Sequence, residues 1–176
     1  MDTIETVLIV ISIGALLFVV SRYRSELLQP DVIHRLRRDA RLVRDTLVGL
    51  EDIDPDVKVL LRRFDERLIV AANETYTKNK RHIRVCLGND TRYGHDINYA
   101  MILFSLLHEM AHVMTPEYGH TPNFWQNFIV ILEVADVVGV LDKEMVERGL
   151  ALDPPFILCA HKMHTGYMPP ASDIIG

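Results

Sequence analysis

Cysteine is scarce: Cys86 and Cys159 are the only two among 176 residues. Small secreted domains are usually richer in it, so the chain reads as one kept in a reduced compartment, with a single disulfide as the other option. A basic excess is missing too. The net charge of −5 argues against a nucleic-acid binder driven by global charge, and direct binding of nucleic acid is not expected. No segment is repetitive or low in complexity. What is left is a folded protein with appendages, long enough for one domain with a real core.

The charge is unevenly spread. Between Arg22 and Arg44 seven Arg face three acids (Glu26, Asp31, Asp39), a local +4 that leaves −9 elsewhere. Just before it, "VLIVISIGALLFVV" (Val7 to Val20) has no charge at all. With its flanks, Thr3 to Ser21, it approaches the length of a short bilayer-spanning helix. A signal peptide would need a basic start and a small-residue cleavage site, whereas "MDTIET" is acidic and "FVVSRYR" offers no such site. The expectation is an N-terminal transmembrane anchor in residues 1–24, meeting the bilayer through residues 4–21. Arg22, Arg24 and the arginines beyond them put the body of this single-pass protein on the cytoplasmic or interior side.

Residues 25–74 read as a helical juxtamembrane region. Ile33, Leu36, Ala40, Val43, Leu47 and Leu50 recur in steps of three and four, an amphipathic helix ending near Gly49. Its other face carries Arg35, Arg37, Arg38, Arg41 and Arg44, suited to anionic lipid headgroups or simply to water. A second helix starts near Pro55 and continues to about Ala72. "ETYTKNK" (Glu74 to Lys80) reads as a polar turn, and "HIRVCL" (His82 to Leu87) alternates like a strand, with Cys86 in its core.

A core of residues 75–150 follows. Its centre is a helix from about Asn98 to Met114, apolar almost all round. Thr121 and Pro122 supply an N-cap and a first-position proline for a fourth helix stopped at Gly139. A short helix spans Asp142 to Arg148, and residues 151–176 read as an irregular arm.

The chemistry lies in "LLHEMAHVMTPEYGHTPNFW". His108 and His112 are four residues apart on a helix, which puts both imidazoles on one face, one turn apart. Two imidazoles so placed can share a tetrahedral ion. Glu109, about 100° further round, can reach a metal-bound water without ligating. A catalytic Zn²⁺ takes three protein ligands and keeps one position open. His120 is the favoured third ligand, because "PEYG" turns the chain back; Glu133 and Asp136 are the alternatives, as ligands or as partners orienting an imidazole. The competing reading is a pair of hydrogen-bonded core histidines, costly to bury without a metal or partners.

The same stretch resembles the active-site signature of the WLM (Wss-like) family of zinc metallopeptidases, and is similar to the SprT-like and minimal gluzincin-type families. "HEMAH" and "GHTPNFW" carry the likeness, which extends over about Tyr76 to Gly139. It also resembles predicted metallopeptidases of large double-stranded DNA viruses. The resemblance implies His108, His112 and His120 as Zn²⁺ ligands and Glu109 as catalytic acid/base. It further implies a minimal zincin (gluzincin-like) domain, so the expected fold is α+β, mostly helical, with a small sheet, an active-site helix and the transmembrane helix. Seven residues separate His112 from His120, more than is common in the WLM pattern and fewer than in SprT-like proteins.

The expected function is therefore a membrane-anchored zinc metalloendopeptidase acting on polypeptides. The alternative is a structural or assembly membrane protein, such as a virion component, that keeps a zinc-bound protease fold. Substrate is expected to add as a strand to an exposed edge at Ile83 to Leu87. Tyr118, Tyr76 and Tyr167 are candidate oxyanion donors, and Phe124 and Trp125 are packing anchors behind the metal. Cys159, His161 and His164 are either a second soft-ligand cluster or part of a solvated arm.

Overall fold

The structure, a computed structural model, describes residues 13–14, 31–88, 90, 92–154, 156–159 and 161–162. Helix α1 (31–49) buries Leu36, Ala40, Val43 and Leu47 completely, the face that the three-four spacing marks out. These residues share one apolar core with the rest of the described chain, so residues 31–74 and 75–150 are not separate cores. The opposite face of α1 is used within the domain. Arg37 donates to the Ile69 carbonyl (2.8 and 3.0 Å). Arg41 pairs with Glu66, and Arg44 reaches Glu66 (2.7 Å) and the Phe64 carbonyl (3.0 Å). Three of the arginines expected to meet lipid or water, Arg37, Arg41 and Arg44, thus pin α1 to residues 64–69.

Helix α2 (Pro55–Arg63) starts where Asp54 caps the amides of Asp56 and Val57. It is shorter than the periodicity suggested. Phe64 is extended, Asp65 caps a single 3-10 turn (Glu66–Leu68), and Ile69–Ala72 becomes strand β1. Arg37 holds the Ile69 carbonyl, and β1 pairs in parallel with a neighbouring strand, so tertiary contacts override the helical spacing. The stretch read as a polar turn contains β2 (Tyr76–Lys78). Strand β3 (His82–Cys86) alternates as expected, burying Ile83 and Val85.

The sheet order is β1-β3-β2, with β1 parallel and β2 antiparallel to β3. β3 is thus paired on both sides and has no edge for a substrate strand; β2 has. Helix α3 (His95–Met114) runs under the sheet, with α4 (Pro122–Val137) and α5 (Lys143–Leu150) packed on it. Gly149 lets α5 approach closely, since a Cβ there would run into the Met101 side chain. A two-stranded ribbon, β4 (Ile157–Leu158) with β5 (His161–Lys162), closes the described chain.

The expected architecture needs one correction. The mostly helical α+β domain with its small sheet is present, but among the described residues no helix is long and apolar enough to cross a membrane. That finding overturns the transmembrane helix as part of the fold and, with it, the single-pass membrane localisation. The physical reason is visible in the two longest described helices. α1 carries five arginines, and α3 carries Asp96, Glu109 and three histidines while its apolar faces are covered by the sheet, α4 and α5. The segment expected to meet the bilayer, residues 4–21, lies outside the described residues except for Ile13 and Gly14, which are helical.

The two cysteines form a disulfide, Cys86–Cys159, with Cα atoms 6.2 Å apart. Cys159 therefore belongs to no second metal cluster, and a uniformly reduced pair is not what the fold holds. Gly88 sits against both sulfurs, where a Cβ would lie 2.9 Å from one and 3.2 Å from the other.

Candidate metal centre

α3 brings His108 and His112 to one face because they are one turn apart; their ring centroids are 5.2 Å apart. α3 then stops at Met114, and the chain turns through Gly119 (φ +82°), a left-handed position that suits glycine. The turn returns His120, whose Nε2 lies 3.0 Å from His108 Nε2. One nitrogen from each of the three imidazoles falls within 4.8 Å of the others, a cluster able to hold a metal ion. His108 is buried, His112 half-buried and His120 exposed, so the cluster opens to one side.

The donor set fits a cation. Two Zn–N bonds of about 2.0–2.1 Å at a tetrahedral angle place nitrogens about 3.3 Å apart, close to the 3.0 Å between His108 and His120. Burial, then the nearness of His112 and His120, pushes His108 down to about 3. Burial, then His120 and Lys80, pushes His112 down to about 4, and burial lowers His120. At neutral pH all three imidazoles are neutral, the form that ligates.

Phe124 is fully buried beneath the cluster, with its ring centroid 4.4–4.9 Å from all three imidazoles. Trp125 lies 5.4 Å from His120. Their places follow from the start of α4, where Thr121 Oγ1 accepts the Phe124 amide (3.3 Å) and Pro122 opens the helix.

Glu109 is buried beside His108, and burial raises its carboxyl pKa, opposed by hydrogen bonds from Thr77. Thr77 Oγ1 on β2 lies 2.7 Å from Glu109 Oε2 and 3.0 Å from the Glu109 carbonyl oxygen. A cavity of about 480 Å³ joins these groups, lined by Tyr76, Thr77, Lys80, His108, Glu109 and His120 among others.

Not every candidate arrives. Tyr76 and Tyr118 line the cavity, the latter 87% exposed, while Tyr167 lies outside the described residues. Glu133 and Asp136 are exposed on α4, away from the cluster, and Asp136 pairs instead with Lys143 (3.1 Å). His164 lies outside the described residues, and of His161 only its place in β5 is described.

The sequence reading missed Thr77, Lys80 and Leu158, all lining the cavity. A signal for the first two existed. Asn79 and Lys80 both have positive φ (54° and 51°), and Asn, which tolerates that conformation better than most residues, marks a turn inside a polar stretch.

No protein-family model matches the chain, and no solved structure does. The chain is similar to "Uncharacterized protein 042R" of Invertebrate iridescent virus 3, 35% identical over 82 residues, which are 47% of this chain and 51% of that protein. It is also similar to "Uncharacterized protein 136R" of Invertebrate iridescent virus 6, 37% identical over 73 residues, 40% of each. The chain thus spans about half or less of the length of these relatives.

Proposed function

We propose that the chain is a zinc-dependent metallopeptidase of viral origin, of the kind that its "HEMAH" and "GHTPNFW" stretches resemble in the WLM and SprT-like families. One observation carries the reading: His108, His112 and His120 converge beside a buried Glu109 on the wall of an open cavity. Imidazole suits zinc, and similarity to two iridescent virus proteins supports the viral origin. When bound, zinc supplies Lewis acidity that activates water near neutral pH and polarises a peptide carbonyl.

The residues of the chain do the rest. Burial gives Glu109 a proton affinity above that of an ordinary carboxylate, suited to taking a proton from the attacking water and passing it to the leaving amine. Thr77 holds Oε2 and so fixes the carboxylate at the cavity wall. β2 is a sheet edge at the cavity, and an extended peptide adds to it through backbone hydrogen bonds. Tyr76 and Tyr118 supply hydroxyls for the developing oxyanion.

The test is metal analysis joined to peptidolysis. The full chain should hold about one zinc ion and cleave a mixed peptide library; His112→Ala should lose both properties. Glu109→Gln should keep the zinc and lose cleavage. Zinc binding with no cleavage by the native chain would replace the enzyme with a zinc-bound structural protein.

A further inference from the structure

The third ligand sits on a turn with little to hold it. Among the described residues, no backbone–backbone hydrogen bond joins positions within Pro116–His120. One side chain spans the gap. Lys80 Nζ donates to the carbonyls of Pro116 (2.7 Å) and Glu117 (2.6 Å), and also to that of Thr115, the C-cap of α3. The same ammonium lies 4.8 Å from the Tyr118 ring centroid. Asn127 and Asn123 fix the turn from α4, through Thr115 Oγ1 (3.0 Å) and Glu117 Oε1 (2.7 Å).

The backbone makes Lys80 a costly choice for anything but its side chain. Its φ of 51° lies in the left-handed region, where glycine is at ease and a lysine is strained. A hairpin tip alone gains nothing from lysine there. The long side chain instead leaves the hairpin and reaches the carbonyls just past α3, from its C-cap Thr115 to Glu117, where a cation also meets the negative end of the helix dipole.

We propose that Lys80 is a positioning residue for the metal centre: it clamps the Thr115–Glu117 carbonyls and so sets His120 over His108 and His112. The inference rests on the metal-centre reading above. It also explains how a seven-residue spacing delivers a third ligand, because the turn that bends at Gly119 is also held from outside by Lys80. The hairpin tip that holds His120 belongs to the same β2–β3 unit whose Thr77 holds Glu109. One small hairpin thus orients both the ligand and the carboxylate.

The test is a Co²⁺ titration of the full chain, followed by its visible absorption. Lys80→Gly suits the φ of 51° and should fold at least as well as the native chain by circular dichroism. It should nevertheless bind Co²⁺ about ten- to a hundredfold more weakly, as expected for loss of a residue that orients a ligand, with an altered spectrum. Lys80→Met should do the same. In a His120→Ala background, either substitution should leave the remaining affinity unchanged, because Lys80 acts through His120.

A purely electrostatic role predicts the reverse. The Lys80 charge opposes another cation near His112, so removing it would tighten binding. Tighter or unchanged binding in Lys80→Gly overturns the proposal, as does equal weakening with and without His120. Absence of Co²⁺ binding by the native chain overturns it together with the metal centre, whereas a native chain that binds Co²⁺ without peptidolysis leaves it standing.

Discussion

Replacing Thr77 by Val removes one hydroxyl and little else. Valine keeps the branched shape and the strand preference of threonine, so β2 should stay paired with β3. What goes is the donor 2.7 Å from Glu109 Oε2. A hydrogen bond to a charged group contributes about 1.5–3 kcal/mol, and about 1.4 kcal/mol is a factor of ten in rate. If Glu109 must be oriented to move its proton, kcat should fall roughly ten- to a hundredfold. KM should change little and zinc content not at all, because the three histidines are untouched. Thr77→Ser restores the hydroxyl and should recover most of the rate. Steady-state kinetics on a quenched peptide, with zinc measured on the same samples, decides the matter. An undiminished kcat in Thr77→Val, or an equal loss in Thr77→Ser, refutes the idea that this bond orients the carboxylate.

Three more outcomes follow from the same structure. Burial raises the Glu109 pKa in the folded chain, so between the unfolded and folded pKa values the native state holds the extra proton and stability falls as pH rises. The metal-free Glu109→Gln variant should lack that fall, and a higher Tm at neutral pH than the native apo chain would show it. Reducing Cys86–Cys159 should cost about 4 kcal/mol, given a sequence separation of 73; denaturant melts with and without a dithiol reductant measure it. Asp90 is held down to about 2, first by the Arg92 hydrogen bonds, against the cost of burial, with further help from the Ile157 amide. Its stabilisation, on the order of 1 kcal/mol with Arg92 partly solvated, should be complete above about pH 4 and fade from there toward pH 2. Asp90→Asn should flatten that acid limb in a pH series of melts.

Much of the helical frame was legible because it rests on local rules. The steps of three and four from Leu36 to Leu47 gave the buried face of α1, and Thr121-Pro122 gave the start of α4 to the residue. What local rules miss is pairing. Ile69–Ala72 continues a helical spacing, yet it is a strand because β3 and Arg37 offer its backbone better partners than another helical turn. Tyr76–Lys78 is too short and polar to declare itself, and becomes a strand only against Arg84, Ile83 and His82. The arginines of α1 misled for a related reason: their sequence spacing is that of a solvated face, and only the fold shows Glu66 and the Ile69 carbonyl waiting opposite. Cys86 and Cys159 likewise meet only after 73 residues of folding.

The site divides along the same line. His108, Glu109 and His112 could be read directly, since one helix fixes their mutual geometry before any tertiary contact forms. His120 could be named but not placed. Its approach to 3.0 Å from His108 depends on a turn whose carbonyls are held by Lys80, a residue 40 positions earlier in the chain. Thr77 is likewise remote, 32 positions before Glu109, and both come from the hairpin whose tip carries two positive φ angles. A helix thus supplies reactive groups in a pattern that sequence records, and a hairpin supplies their orientation in a pattern that it hardly records at all. Substitution of Lys80 should therefore change metal affinity, and of Thr77 rate, while leaving the HExxH residues and the core intact.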